Sequence, residues 1–396
     1  MILKQINLKI QIMLFMSLFL LNFINIGKFT SLQYETFPII TVFILGLIFL
    51  LSPNNFLKIF LNKHYLKSYL IIIFPTIIML LFNESLIFLA RYTLILMIGF
   101  FIFKFLNNLP SQIILKSIIF ILFLYILIAL IQSNEFTLNI FCSFRDTLNL
   151  LPRGICGGVG TITILSPEPS YHTHYLFFII VLFEFYFSKN KKIIHYFVIF
   201  LIYINLILIK SDFAFAVLLI YTIYNFFIFF SLFKIFPILL IIICAGLFFN
   251  YKNIYTWYQN SEINPNTITI SARTFYNKFA YFKADFFPTR TMYDFADKLD
   301  VNKLIEYHEN DILNEINYHP VLSVDIYEGG NLVPSSSLAY NFFNLGYLAG
   351  SVWLIIFFSN LVTGIKFNKF YFITILYLPY LITAFFFQLN FAMIPF

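Results

Sequence analysis

The sequence predicts an all-α fold, a polytopic bundle of membrane helices, and three observations carry that prediction. Of 396 residues, 61% are hydrophobic and only 11% charged, where a soluble domain carries about 25% charge. Apolar runs approaching the roughly 20 residues a helix needs to cross a bilayer recur along the chain. Lysine and arginine then sort to opposite ends of those runs.

The first run, 8–26, is preceded by Lys4 and flanked by Lys9. No small-residue cleavage site follows, so it reads as a first spanning helix and not a cleaved signal peptide. Further runs lie at 36–51, 68–83, 86–106, 112–132, 171–187, 193–209, 212–232, 234–250, 337–358 and 369–387. That is about eleven spans, the shorter ones needing tilt or flanking residues to cross. No internal repeat is visible, so the inverted-repeat plan of many transporters finds no support. With the N-terminus inside, the inner loops hold Lys58, Lys63, Lys67, Lys104, Lys116, Lys189, Lys191, Lys192, Lys234, Lys366 and Lys369. The short outer turns hold only Lys28 and Lys210. This is the asymmetry expected of cytoplasmic loops. The net charge of +7 is then mostly cytoplasmic lysine, a topology signal that does not call for nucleic acid.

The whole chain, 1–396, reads as one integral membrane domain with two outer loops, 133–170 and 251–336. Cys142 and Cys156 share the first loop; a disulfide between them would suit an oxidising compartment. In the second, Phe275, Phe279, Phe282 and Phe286 fall on one face of a helix that Pro288 stops. A second helical pattern runs over 295–316, with Leu304, Ile305, His308, Ile312 and Ile316 on one side. Together they predict a helical lid over the outer mouth of the bundle, since loops of this length are more often functional than passive.

Chemistry concentrates on the same side. All five arginines, Arg91, Arg145, Arg153, Arg273 and Arg290, lie at or beyond the outer ends of spans. The planar guanidinium fork binds phosphate in a bidentate way that lysine cannot copy. The most specific stretch is Pro152-Arg153-Gly154 followed by Ser166-Pro167-Glu168-Pro169-Ser170-Tyr171 at the mouth of the sixth span. Prolines and serines bracket a helix N-terminus there. Its dipole favours the Glu168 charge and suits a bound phosphate. Glu168, His172 and Tyr175 share one helical face, Ser170 and His174 another. Glu184, near the inner end of that span, reads as a partner for the Lys189 to Lys192 cluster. His172, His174 and Glu168 lack a further ligand at a telling spacing, so no metal site is expected.

These residues carry a resemblance. The Glu-Pro-Ser-Tyr stretch with Arg-Gly upstream resembles the bacterial O-antigen polymerase (Wzy-type) and O-antigen ligase-like family. So do the outer loop beginning Ser271-Ala272-Arg273-Thr274 and the Ser335-Ser336-Ser337-Leu338-Ala339-Tyr340-Asn341 segment leading to Gly346 and Gly350. The resemblance implies a GT-C-like, metal-independent glycosyltransferase without cofactor, in the bacterial cytoplasmic (inner) membrane with its site on the periplasmic face. Its substrates would be undecaprenyl-pyrophosphate-linked oligosaccharides, as donor and acceptor, and a chain-length regulator is a further partner the family implies. Glu168, His172, Arg273 and Arg290 are the catalytic candidates. Arg153, Arg145, Arg91, Lys210, Ser170 and Tyr171 are the substrate and pyrophosphate-binding ones, with Lys210-Ser211 matching a Lys/Ser outer turn of the family.

Arg153 lies further from Glu168 than the family pattern has it, so Arg145 competes for its role. Ligases carry a histidine where this chain has Pro334-Ser335-Ser336-Ser337, which favours a polymerase of O-antigen, capsule or exopolysaccharide repeat units over a ligase. A lipid-linked sugar flippase is the alternative from another class; it should carry charge at the bilayer midplane, whereas charge here gathers outside.

Overall fold

A computed structural model describes residues 110–148, 169–187, 192–209, 211–230 and 371–383, with scattered residues between 46 and 81, 280 and 286, and 339 and 362. Regular structure among the described residues is all helical, with no strand. The helices are α1 (Ser111–Ser133), α2 (Glu135–Leu148), α3 (Pro169–Phe187), α4 (Ile193–Ile209) and α5 (Asp212–Phe230). A π-helical stretch, Phe372–Tyr377, runs directly into α6 (Leu378–Ile382). Among the described residues one helix, α1, is long and apolar enough to cross a bilayer; α3, α4, α5 and the 372–382 segment contain shorter apolar helical stretches.

Helix α2 lies within the stretch expected to be loop. It forms because Asn134 serves two helices. Its N–H donates to the Ile131 carbonyl, closing α1, and its side-chain oxygen accepts the Phe136 N–H at 3.0 Å, opening α2. Asparagine is among the best residues for that second task.

Helices α3, α4 and α5 form an up-and-down array. Phe187 of α3 meets His195 of α4 at 5.1 Å between ring centres, and Tyr203 of α4 donates to Thr222 of α5 at 3.1 Å. Helices α3 and α5 therefore run parallel, with α4 antiparallel to both. Helix α1 packs on α4, where Asn205 Nδ2 donates to the Leu122 carbonyl at 3.2 Å. It packs on α3 through Tyr125 and His172. Helix α3 is buried all round from Tyr175 to Glu184, whereas α5, at the edge of the described helices, buries one stripe. On α5 that stripe is Ala214, Val217, Tyr221, Tyr224 and Phe227, while Phe215, Leu219 and Phe226 stay exposed. An apolar exposed face is ordinary for a helix meant to touch lipid and costly for one meant to touch water.

The π-helical turn has a local cause. Pro379 has no N–H to offer Ile375, and its ring would press on that carbonyl. A wider turn relieves the conflict, and Leu378 N–H reaches back to Ile373. Tyr371 stacks on Phe227 of α5 at 5.7 Å, and Tyr380 meets Phe177 of α3 edge-on at 5.5 Å. The segment thus runs antiparallel to α3 and α5 and closes the core.

Two distant stretches also meet. Gly346 has φ 71°, a left-handed conformation that breaks regular helix within the predicted span 337–358. The N–H groups beyond the break find carbonyls elsewhere: Tyr347 donates to Asp285 at 2.8 Å and Leu348 to Phe286 at 3.1 Å. The end of the predicted amphipathic stretch 275–286 is therefore fastened by main chain to the segment that follows Gly346. Phe342 and Val352 belong to the same buried cluster as the helices, and Tyr281 and Ala284 pack against it.

Candidate functional site

The site is built where α3 and α5 begin. Pro169 opens α3, a position where its missing N–H costs nothing and its fixed φ suits a helix. Ser170 and Tyr171 lie in the same first turn. Helix α5 begins at Asp212, and Ser211 caps it, its hydroxyl accepting the Ala214 N–H at 3.0 Å. The two beginnings touch. Thr173 Oγ1 lies 3.4 Å from Ser211 Oγ, and the His174 ring is 4.4 Å from that of Phe213. The first turns of α3 and α5, separate in sequence, thereby become neighbours. Two parallel helix N-termini lie side by side there, each carrying about half a positive charge; the Ala214 and Phe215 N–H groups are taken up by Ser211.

The neighbouring helix rises past this point. Tyr125 of α1 is level with His172 of α3, their rings 4.4 Å apart and edge-on. From Tyr125 to the end of α1 is a longer stretch of helix than from His172 back to Pro169. At 1.5 Å per residue the end of α1 stands roughly 7 Å beyond the start of α3.

Of the predicted site residues, His172 is fully described. It is buried, and among the described residues neither ring nitrogen has a hydrogen-bond partner. It faces Tyr125 across the α1–α3 interface. Tyr175, on the same face, is buried as well. Arg145 lies in α2, whose Leu138 is buried while Phe136 and Ile140 are exposed. Cys142, also in α2, is disulfide-bonded; Cys156 lies outside the described residues. So do Glu168, Arg91, Arg153, Lys210, Arg273 and Arg290, and most of the predicted lid, including its 295–316 helix.

Sequence reasoning passed over Thr173 and Tyr125. Tyr125 carries no local signal, because its role depends on a helix elsewhere in the chain. Ser211 could have been read as a cap, being a serine directly before an apolar run with Asp212 in the first turn.

At the far end of α3 the Glu184 carboxylate is fully buried. Tyr221 donates to one of its oxygens at 3.0 Å and Tyr224 to the other at 3.1 Å. The sequence offered Lys189, Lys191 and Lys192 as partners, of which Lys189 and Lys191 lie outside the described residues; the two tyrosines of α5 are partners that helical spacing alone does not announce.

No family model matches this chain, and neither curated proteins nor solved structures give a match.

Proposed function

We propose that the chain is an oligosaccharide repeat-unit polymerase, a multi-span glycosyltransferase of the bacterial cytoplasmic membrane working on its outer face. The observation that carries this reading is the contact of Thr173 with Ser211 at 3.4 Å, which joins the two outer motifs at paired helix N-termini. The lysine asymmetry of the sequence puts that end outside. Such an end suits a diphosphate, because the positive ends of two helix dipoles favour an anion there. Arg145, Arg153, Arg273 and Arg290 are the guanidinium candidates to complete the grip, with Arg91 and Lys210 beside them.

In the reaction, an acceptor sugar hydroxyl attacks the anomeric carbon of the donor glycan. The carbon–oxygen bond to phosphate breaks, and undecaprenyl pyrophosphate leaves with the electron pair. Fixed cations and helix ends stabilise the charge that builds on the leaving oxygen. The hydroxyl proton passes to a carboxylate, a step worth about 10²–10⁴-fold when the base is positioned. Glu168 is the better candidate for that base. It lies in sequence just before α3, whereas His172 is enclosed against Tyr125. A ligase would use the same chemistry on another acceptor. A flippase would need polar groups along a path through the bundle; Glu184 instead ties α3 to α5.

The test is polymer length. Glu168→Gln, Arg273→Lys and Arg290→Lys are expected to insert normally and abolish long glycan ladders, both in cells and with purified lipid-linked repeat units. Normal ladders from all three would reject the site.

A further inference from the structure

We propose that Glu184 is a positioning residue: clasped by Tyr221 and Tyr224, it sets the axial register of α3 against α5 and so holds Thr173 beside Ser211 at the opposite end of the pair.

Thr173 and Glu184 are about three helical turns apart and fall on the same face of α3. Ser211 is separated from Tyr221 and Tyr224 by about the same rise along α5. The α3–α5 seam is thus polar at both ends. Between them α5 offers Ala214 and Val217, both buried. Apolar contacts of that kind have no direction, and helices joined only by them can slide by a turn at small cost. Hydrogen bonds do have direction. A slide of one turn, about 5.4 Å, would break both tyrosine bonds and leave a carboxylate buried without them. The clasp is itself braced. Tyr221 and Tyr224 lie nearly parallel at 6.2 Å, and the Tyr203 ring of α4 rests 5.6 Å from Tyr221 while its hydroxyl binds Thr222. Buried polar groups are best attested in this role of choosing one register among several. The register claim stands on geometry alone; its consequence for catalysis rests on the polymerase reading.

The experiment places cysteines at Thr173 and Ser211 in the full chain in membranes. Disulfide formation under mild oxidant is followed by cleavage at a protease site inserted between Ser188 and Lys191. The otherwise unchanged chain and Glu184→Gln, whose amide can still accept one tyrosine and donate to the other, are expected to crosslink. The apolar triple variant Glu184→Leu, Tyr221→Phe, Tyr224→Phe removes the carboxylate together with both tyrosine hydroxyls that donate to it. It is expected to insert, to lose the 173–211 crosslink, and to gain one between cysteines at 173 and 215, a turn further along. Should it fail to insert, Tyr224→Phe alone, which removes one bond and little volume, is expected to slow the crosslink several-fold. An undiminished 173–211 crosslink in these variants overturns the proposal. Polymer is measured in parallel in chains that keep Thr173 and Ser211. Lost register with unchanged ladders overturns the positioning role. Crosslinking that follows Glu184 in a protein that makes no polymer at all rejects the polymerase reading and leaves the register role standing.

Discussion

The Ser211 hydroxyl accepts the Ala214 N–H and lies against Thr173, so its two duties can be separated by substitution. Ser211→Ala removes a cap and is expected to cost about 1 kcal/mol, read as a lower unfolding temperature in detergent. Ser211→Asp keeps a capping oxygen but sets a negative charge where a diphosphate would bind. It is expected to hold stability and lose polymer. His172 gives the opposite case. Its two unpartnered nitrogens are buried, and His172→Phe keeps a ring edge-on to Tyr125 while removing both. That variant is expected to gain about 1–3 kcal/mol, the usual cost of an unsatisfied buried polar group, and to keep its polymer ladder. Loss of the ladder in a stable His172→Phe chain would move the base role from Glu168 to His172. The spacing of Glu168, His172 and Tyr175 in the sequence identified a common face. It did not say that His172 and Tyr175 on that face would turn into the α1–α3 core, because helical periodicity fixes which residues align and not which neighbour they meet.

At the level of elements, the apolar runs near 112–132, 171–187 and 193–209 coincide with α1, α3 and α4 within a residue or two, since length and hydrophobicity are local properties. What escaped is what depends on distant chain. Helix α2 needed Asn134 to cap across a corner. The break at Gly346 is affordable only because the Asp285 and Phe286 carbonyls take up the freed N–H groups. Gly346→Ala would put a Cβ on a left-handed residue, with an expected cost of about 1–2 kcal/mol. Gly350 differs in kind. A Cβ there would come within 2.9 Å of Phe342 Cδ1 and 3.1 Å of its Cα, so Gly350→Ala must push main chain as well as ring. Thermal unfolding of the two variants should rank both below the parent, with a smaller partner at Phe342 relieving Gly350→Ala but not Gly346→Ala.

Across the whole molecule, the disulfide at Cys142 gives a test of sidedness, since disulfides persist in oxidising compartments. Cys142 is expected to resist maleimide until a reductant is added. Cys156→Ser tests the pairing expected from the sequence: Cys142 reactive from outside without reduction identifies Cys156 as its partner, and reactivity only after the membrane is breached would invert the topology. The fastening at Gly346 reaches equally far: Tyr347 also donates to the Tyr281 carbonyl, 66 positions earlier. A tether of main-chain bonds pins both ends of the intervening stretch, so its interior length becomes nearly free to change. Doubling such a loop adds only about 0.6 kcal/mol of closure entropy. Insertions and deletions between residues 287 and 338 are therefore expected to cost little stability, leaving the anchor at Asp285 and Phe286 untouched while the sequence after it is rewritten.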